Sequence, residues 1–153
     1  MNPRVMPIND AKPASSGKVV VYVMSRDQRV HDNHVLLEAQ ASAVEQKLPL
    51  VVVFNLLNKS GVRAREHFEF MLVGLKEVEK NLKKHNIGFA LTFGDNHKNL
   101  SDQLKDLEPA AVYLDFSPLR GPKAVHKAIA DSVSYPCFVV DTHNIIPVWE
   151  ASG

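Results

Sequence analysis

Apolar and polar positions along the chain follow two periods, one typical of strands and one typical of helices. Five short apolar runs lack helical spacing, and the first of them, "VVVYVM", is unbroken and rich in β-branched side chains. Such a run predicts a strand that is covered on both faces. The five predicted strands are residues 19–24, 50–56, 89–93, 111–116 and 136–141.

Between these strands, apolar residues recur at every third or fourth position, which predicts amphipathic helices. The predicted helices span about 32–47, 63–86, 98–107 and 122–133. Asp32 is a plausible N-cap of the first helix, because a short carboxylate there accepts a backbone amide and suits the helix dipole. Pro49 ends that helix, and Pro122 suits the first turn of the last one.

The alternation of strands and helices predicts an α/β fold, a doubly wound five-stranded parallel sheet with helices on both faces. Residues 1–18 contain three prolines and several small polar residues. We expect them to form a disordered leader. The α/β domain is then residues 19–147, and residues 148–153 follow it.

Composition excludes some classes of function and leaves others open. The 153 residues carry 18 Lys and Arg against 17 Asp and Glu, a net charge of +1, so the whole domain has no electrostatic footprint for DNA or anionic membranes. No apolar run approaches the roughly 20 residues of a membrane span. Cys137 is the one cysteine and reads as a small buried hydrophobe. This fits a reducing cytoplasm.

Polar residues cluster where the predicted strands end, which in doubly wound sheets is the ligand edge. They are Ser25, Arg26, Asp27, Asn55, Asn58, Gly94, Asp95, Asp115, Ser117, Arg120, Asp141, His143 and Asn144. Loops are polar in any case, so this placement alone leaves a ligand site and plain solvated loops equally open. The first turn has no glycine and no P-loop is present, which disfavours ordinary NAD binding and phosphate transfer.

The segment "SRDQRVHDN" is unusually charged for a chain with so little net charge. Its ionic residues could be solvated surface pairs of small energetic value. Alternatively, arginine forks and carboxylates could pair with another domain. The seven histidines include no HExxH and no zinc-finger spacing, so we expect no metal site.

Five segments in order resemble the N-terminal domain of class II cyclobutane pyrimidine dimer photolyases, over about residues 18–152. They are "YVMSRDQRVHDNHVLL", "VVVFNL", "HFEFMLVGLKEVEKNL", "LDFSPLR" and "VDTHNIIPVWEAS". The resemblance implies a domain that can hold an antenna chromophore, a deazaflavin or a folate. It also implies a larger C-terminal helical domain that binds FAD and flips damaged DNA into its pocket. By this resemblance, we expect the 153 residues alone not to repair DNA.

The resemblance assigns roles to particular residues. The implied antenna-binding residues are Met24, Arg26, Phe54, Asn55, Arg65, Phe68 and Asp115. The implied contacts with the helical domain are Arg26, Asp27, Arg29, Asp32 and Trp149, with residues 148–153 beginning the linker. Without that partner, we expect the four charged residues to be exposed and loosely paired. Val23 and His34 replace tryptophans that are common in this family, which removes aromatic bulk near the first crossover.

Two other functions remain open at this point. The chain could be a relic or a scaffold domain with an empty pocket, which docks another protein through the first loop and the Trp149 tail. It could also be a small-nucleotide-binding α/β domain, although the glycine-rich turn is missing.

Overall fold

A parallel sheet flanked by helices forms the centre of the molecule. The computed structural model describes residues 2–12, 16–57, 65–94 and 97–151. The strands are β1 (Val5–Pro7), β2 (Val19–Met24), β3 (Leu50–Leu56), β4 (Gly88–Phe93), β5 (Pro109–Asp115) and β6 (Cys137–Val140). The helices are α1 (His34–Gln46), α2 (Arg65–Lys84), α3 (His97–Asp106), α4 (Arg120–Asp131) and α5 (Val148–Ala151).

The predicted α/β fold is confirmed. The strand order is β1-β6-β5-β2-β3-β4, and β2 to β6 are parallel, with β2 at the centre between β5 and β3. From β2 the chain continues to β3 and β4 on one side of the sheet. It then returns to β5 and β6 on the other side of β2, so the direction of the strand order reverses at β2. In open α/β sheets, such a reversal places a crevice at the carboxyl ends of the strands.

The sheet has a sixth strand that the sequence did not predict. Residues Val5–Pro7 form β1, which pairs antiparallel with β6 in the register Val5↔Val140 and Pro7↔Phe138. The expectation of a disordered leader is therefore wrong for this part of residues 1–18. The strand is only three residues long, and its pairing with a segment more than 130 residues away leaves no periodic signal in the sequence.

Side chains of the sheet alternate between two apolar layers. Val20, Tyr22 and Met24 of β2 pack with α1 and α2 on one face. Val21 and Val23 pack with α3 and α4 on the other. Burial on both faces explains why the strand reads as a continuous apolar run. No helix in the part of the chain that the structure describes has the length and apolar character needed to cross a membrane.

The start of α1 differs by one residue from the prediction. Asn33, not Asp32, is the N-cap, and its side-chain oxygen accepts the backbone amide of Leu36 at 3.0 Å. Asp32 takes a left-handed backbone conformation with φ of 52°. This conformation directs the loop into the helix, and Asp is among the residues that tolerate it.

Candidate functional site

Asp115, at the end of β5, organises the first crossover loop. One carboxylate oxygen accepts the backbone amides of Ser25 and Arg26, each at 2.7 Å, and that of Asp27 at 3.3 Å. The other accepts the hydroxyl of Tyr22 at 2.7 Å. Asp115 is buried, so its charge is stabilised by these donors rather than by water. The carboxylate therefore fixes the loop backbone that follows the central strand.

Asn33 holds the same loop from the helix side. Its amide donates to the Tyr22 hydroxyl oxygen at 3.1 Å and to the carbonyls of Asp27 and Arg29 at 3.1 and 3.0 Å. The side chain is fully buried. Burial raises the pKa of Tyr22 well above its ordinary value, and the adjacent charge of Asp115 adds to this. Tyr22 therefore stays a neutral donor that links Asn33 to Asp115.

The charged loop residues do not behave alike. Arg26, Arg29 and Asp32 are exposed as expected, but Asp27 is only 3% exposed. The Asp27 carboxylate accepts a hydrogen bond from the Thr142 hydroxyl and lies 3.5 Å from the ring of His143. The expectation that all four residues are exposed and loosely paired is therefore wrong for Asp27. Its charge serves a contact inside the domain, between the first loop and the segment after β6.

That segment, residues 141–149, is called here the exit segment, and Asp141 organises it. One Asp141 oxygen accepts the amides of His143 and Asn144 at 3.1 and 3.3 Å, and the other accepts that of Val148 at 3.0 Å. Burial alone would raise the pKa of Asp141, but the Asn144 side chain and these backbone amides outweigh it, so the pKa is lowered. Trp149 packs edge-on against Phe116, with ring centroids 5.5 Å apart.

An open cavity of about 580 Å³ lies beside this polar network, at the carboxyl ends of β2 and β3. Its floor is mostly apolar and its rim carries a few polar side chains, which is the usual composition of a small-molecule site of this size. The lining residues that the sequence had singled out for an antenna are Met24, Arg26, Phe54, Asn55 and Phe68. The structure thus brings five of the seven together.

The other two antenna candidates lie elsewhere among the described residues. Asp115 is committed to the loop amides and does not line the cavity. Arg65 begins α2 with an exposed side chain that pairs with Glu69 at 2.7 Å. Both candidates came from the resemblance, which places residues at strand and helix ends but does not say which way a side chain points.

Sequence reasoning missed several residues of the cavity wall, notably Val125 and His126. Burial lowers the pKa of His126, although the charge of Asp115 acts in the opposite direction. A neutral imidazole is therefore present in the wall at neutral pH. His126 lies on the inner face of α4, and one histidine at helical spacing gives no signal that separates it from a surface residue.

The remaining edge residues fall into three groups. Asn58 and Asp95 lie outside the described residues. Asn55 accepts the Thr92 hydroxyl at 2.9 Å, which holds its side chain across to β4. Arg120 is exposed at the start of α4. Within the described ranges, no group of three or more His, Cys, Asp or Glu side chains is arranged to hold a metal ion.

Comparison with known proteins identifies one family over nearly the whole chain. The family model described as DNA photolyase matches residues 20–153. Curated relatives named deoxyribodipyrimidine photo-lyase are 38% identical over 145 residues in Potorous tridactylus and 35% identical over 138 residues in Arabidopsis thaliana. A third, from Methanothermobacter thermautotrophicus, is 31% identical over 153 residues.

These alignments cover most of this chain but little of the relatives. They include 94%, 88% and 97% of the chain, which spans only 27%, 27% and 33% of the three relatives. The relatives therefore contain a large region that has no counterpart in these 153 residues.

Solved structures with a similar fold include two universal stress proteins. One, from Archaeoglobus fulgidus, has a TM-score of 0.56 at 9% identity and covers 81% of this chain and 44% of that chain. The other, solved in complex with cAMP, has a TM-score of 0.51 at 12% identity and covers 84% of this chain and 99% of that chain. At such identities the likeness concerns the fold alone.

Proposed function

The chain belongs to the DNA photolyase family, and we propose that it is the N-terminal, antenna-binding domain of a class II enzyme that repairs cyclobutane pyrimidine dimers with light. In this proposal the domain holds a deazaflavin or folate chromophore and docks a helical domain. FAD and damaged DNA bind to that helical domain, so the 153 residues alone do not repair DNA. We place the protein in the cytoplasm, where the thiol of Cys137, whose pKa burial raises to about 12, stays reduced.

The cavity of about 580 Å³ is the observation that carries the antenna role. Phe54 and Phe68 offer aromatic surface for a flat ring system, and Met24 adds a polarisable contact. Arg26 and Asn55 provide a cation and an amide at the rim, which can orient a polar ring edge. Val23 also lines the cavity. Because valine is smaller than the tryptophan that is common at this position in the family, it leaves more open space there.

The exit segment supports the docking role. Ile145 is 94% exposed and Ile146 is 60% exposed, and these side chains follow each other at the end of the domain. Large adjacent apolar side chains in water favour an interface. The relatives continue for about two thirds or more of their length outside the matched region, so we propose the helical domain as the partner that covers this pair.

A titration of the purified chain with a deazaflavin, followed by ligand fluorescence, tests antenna binding. We expect saturable quenching or a spectral shift. Phe68→Ala removes an aromatic wall of the cavity and should weaken binding at least tenfold, which corresponds to about 1.4 kcal/mol.

Phe70→Ala is the matched control, since Phe70 lies two residues away on the same helix, is 83% exposed and does not line the cavity. It should leave the affinity unchanged. Equal loss in both variants, or no fluorescence change with wild type at high micromolar deazaflavin or folate, contradicts the antenna role.

The chromophore titration and a thermal melt with ATP together discriminate the two alternative functions. A scaffold domain with an empty pocket would bind neither chromophore, but it would still bind a partner protein that covers Ile145 and Ile146. A nucleotide-binding domain would be stabilised thermally by ATP, because a ligand that binds only the folded state raises the melting temperature. ATP stabilisation without chromophore binding would replace the antenna proposal.

A further inference from the structure

The N-terminal segment, residues 2–7, contacts the exit segment through both backbone and side chains. The Asp141 amide donates to the Arg4 carbonyl at 3.0 Å, just beyond the β1–β6 ladder. The indole N–H of Trp149 donates to the Pro3 carbonyl at 2.7 Å. These bonds join the two ends of the described domain.

Arg4 supplies the most extensive of these contacts. Its Nη1 donates to the carbonyls of Asp141 at 3.1 Å and Asn144 at 2.6 Å, and its Nη2 donates to that of Ile145 at 2.8 Å. The guanidinium fork thus gathers three carbonyls that the turning backbone points toward one place. A planar fork of fixed donors suits such a set better than a lysine does.

Arg4 and Asp141 bond to complementary backbone groups of the exit segment. Asp141 accepts backbone amides of the segment, whereas Arg4 donates to its carbonyls. Both kinds of backbone group are therefore bonded, while the side chains of Ile145 and Ile146 stay exposed. A backbone whose amides and carbonyls are both bonded, with exposed apolar side chains, is preorganised for binding.

We propose that the N-terminal segment is a clasp, with Arg4 as the positioning residue that fixes the exit segment and thereby presents Ile145 and Ile146 to a partner. The purpose of this arrangement rests on the docking role proposed above. The clasp itself is a property of this chain and is measurable without any partner.

The variant Arg4→Met keeps β1 but removes the donors. We expect amide hydrogen exchange at His143, Asn144 and Val148 to accelerate at least tenfold, because exchange reports local opening. Trp149 is the one tryptophan of the chain, so its emission should shift to the red and become more accessible to acrylamide. Arg4→Lys should fall between Met and wild type.

Lys127→Met is the control, since Lys127 is an exposed cation that pairs with Asp131 on α4. It should change neither readout. Unchanged exchange and emission in Arg4→Met overturn the clasp. If Arg4→Met unfolds the whole sheet, so that β2 amides also exchange faster, Arg4→Lys decides: faster exchange confined to the exit segment supports the clasp, and unchanged exchange overturns it. An intact clasp combined with no docking would contradict the proposed function instead.

Discussion

Two regions share the carboxyl edge of the sheet, and they use polar side chains in opposite ways. Around Asp115, Asn33 and Asp27, buried polar groups bond to the backbone and side chains of neighbouring loops. Over β3 and α2, few polar groups rim an apolar floor that stays open. The contrast indicates that buried charge at this edge belongs to the frame that holds the loops, whereas the ligand site that we propose lies on the largely apolar surface of the cavity.

Removing the Asp115 carboxylate should have the largest effect on the filled region. Asp115→Ala leaves the buried hydroxyl of Tyr22 and the partly buried amides of Ser25 and Arg26 without their acceptor, which should cost about 3–4 kcal/mol of the free energy of unfolding. Urea denaturation followed by circular dichroism measures it. Asp131→Ala, at an exposed pair with Lys127, should cost less than about 0.5 kcal/mol.

A loss below about 1 kcal/mol for Asp115→Ala would break the comparison, because an easily replaced carboxylate is not a frame residue. It would then be available to a ligand, as the sequence predicted. Chromophore titration of the same variant separates the two roles. If Asp115 acts only by holding the loop that carries Arg26, chromophore affinity and stability should fall together.

Asn33 tests the frame from the helix side with a smaller effect. Asn33→Ala removes the N-cap of α1 and three donated hydrogen bonds, so we expect a loss of about 2 kcal/mol. Asp32→Gly is the neighbouring control. Glycine tolerates the left-handed backbone at Asp32, so stability should stay within about 0.5 kcal/mol. Chemical denaturation of both variants measures this, and equal losses would mean that the capping assignment is wrong.

The sequence predicted the central strands well, because the apolar pattern that predicts a strand lies within the strand itself. Short apolar runs predicted β2 and β3 to the residue. It did not predict β1, because a strand of three residues depends on its pairing with β6. It placed Asp115 at the right edge but did not predict its bonds to the first loop, since the amides that it accepts lie about 90 residues away. The cap was shifted from Asn33 to Asp32 because both residue types suit that position, and only the backbone conformation separates them.

Acid should affect the exit segment and the cavity wall in different pH ranges. Hydrogen bonds hold the pKa of Asp141 below its ordinary 3.8, so its ionised form stabilises the fold above that value. This contribution is lost as the pH falls through the lowered pKa. Asp141→Asn removes the charge, and we expect its stability to depend less on pH below about 4 than that of wild type. Urea midpoints between pH 2.5 and 6 measure this, and parallel curves for the two proteins would contradict it.

On the cavity side, His126 should give the smallest effect, at higher pH. Burial lowers the pKa of His126 below 6.5, so the unfolded chain binds a proton more readily than the folded one. Stability should therefore fall as the pH drops through 6.5 and level off below the folded pKa. His126→Gln keeps a neutral polar side chain in the wall and should abolish this step. Melting temperatures between pH 5 and 8 test this. A step that persists in His126→Gln would belong to another histidine. Burial in the cavity wall would then not lower the pKa of His126.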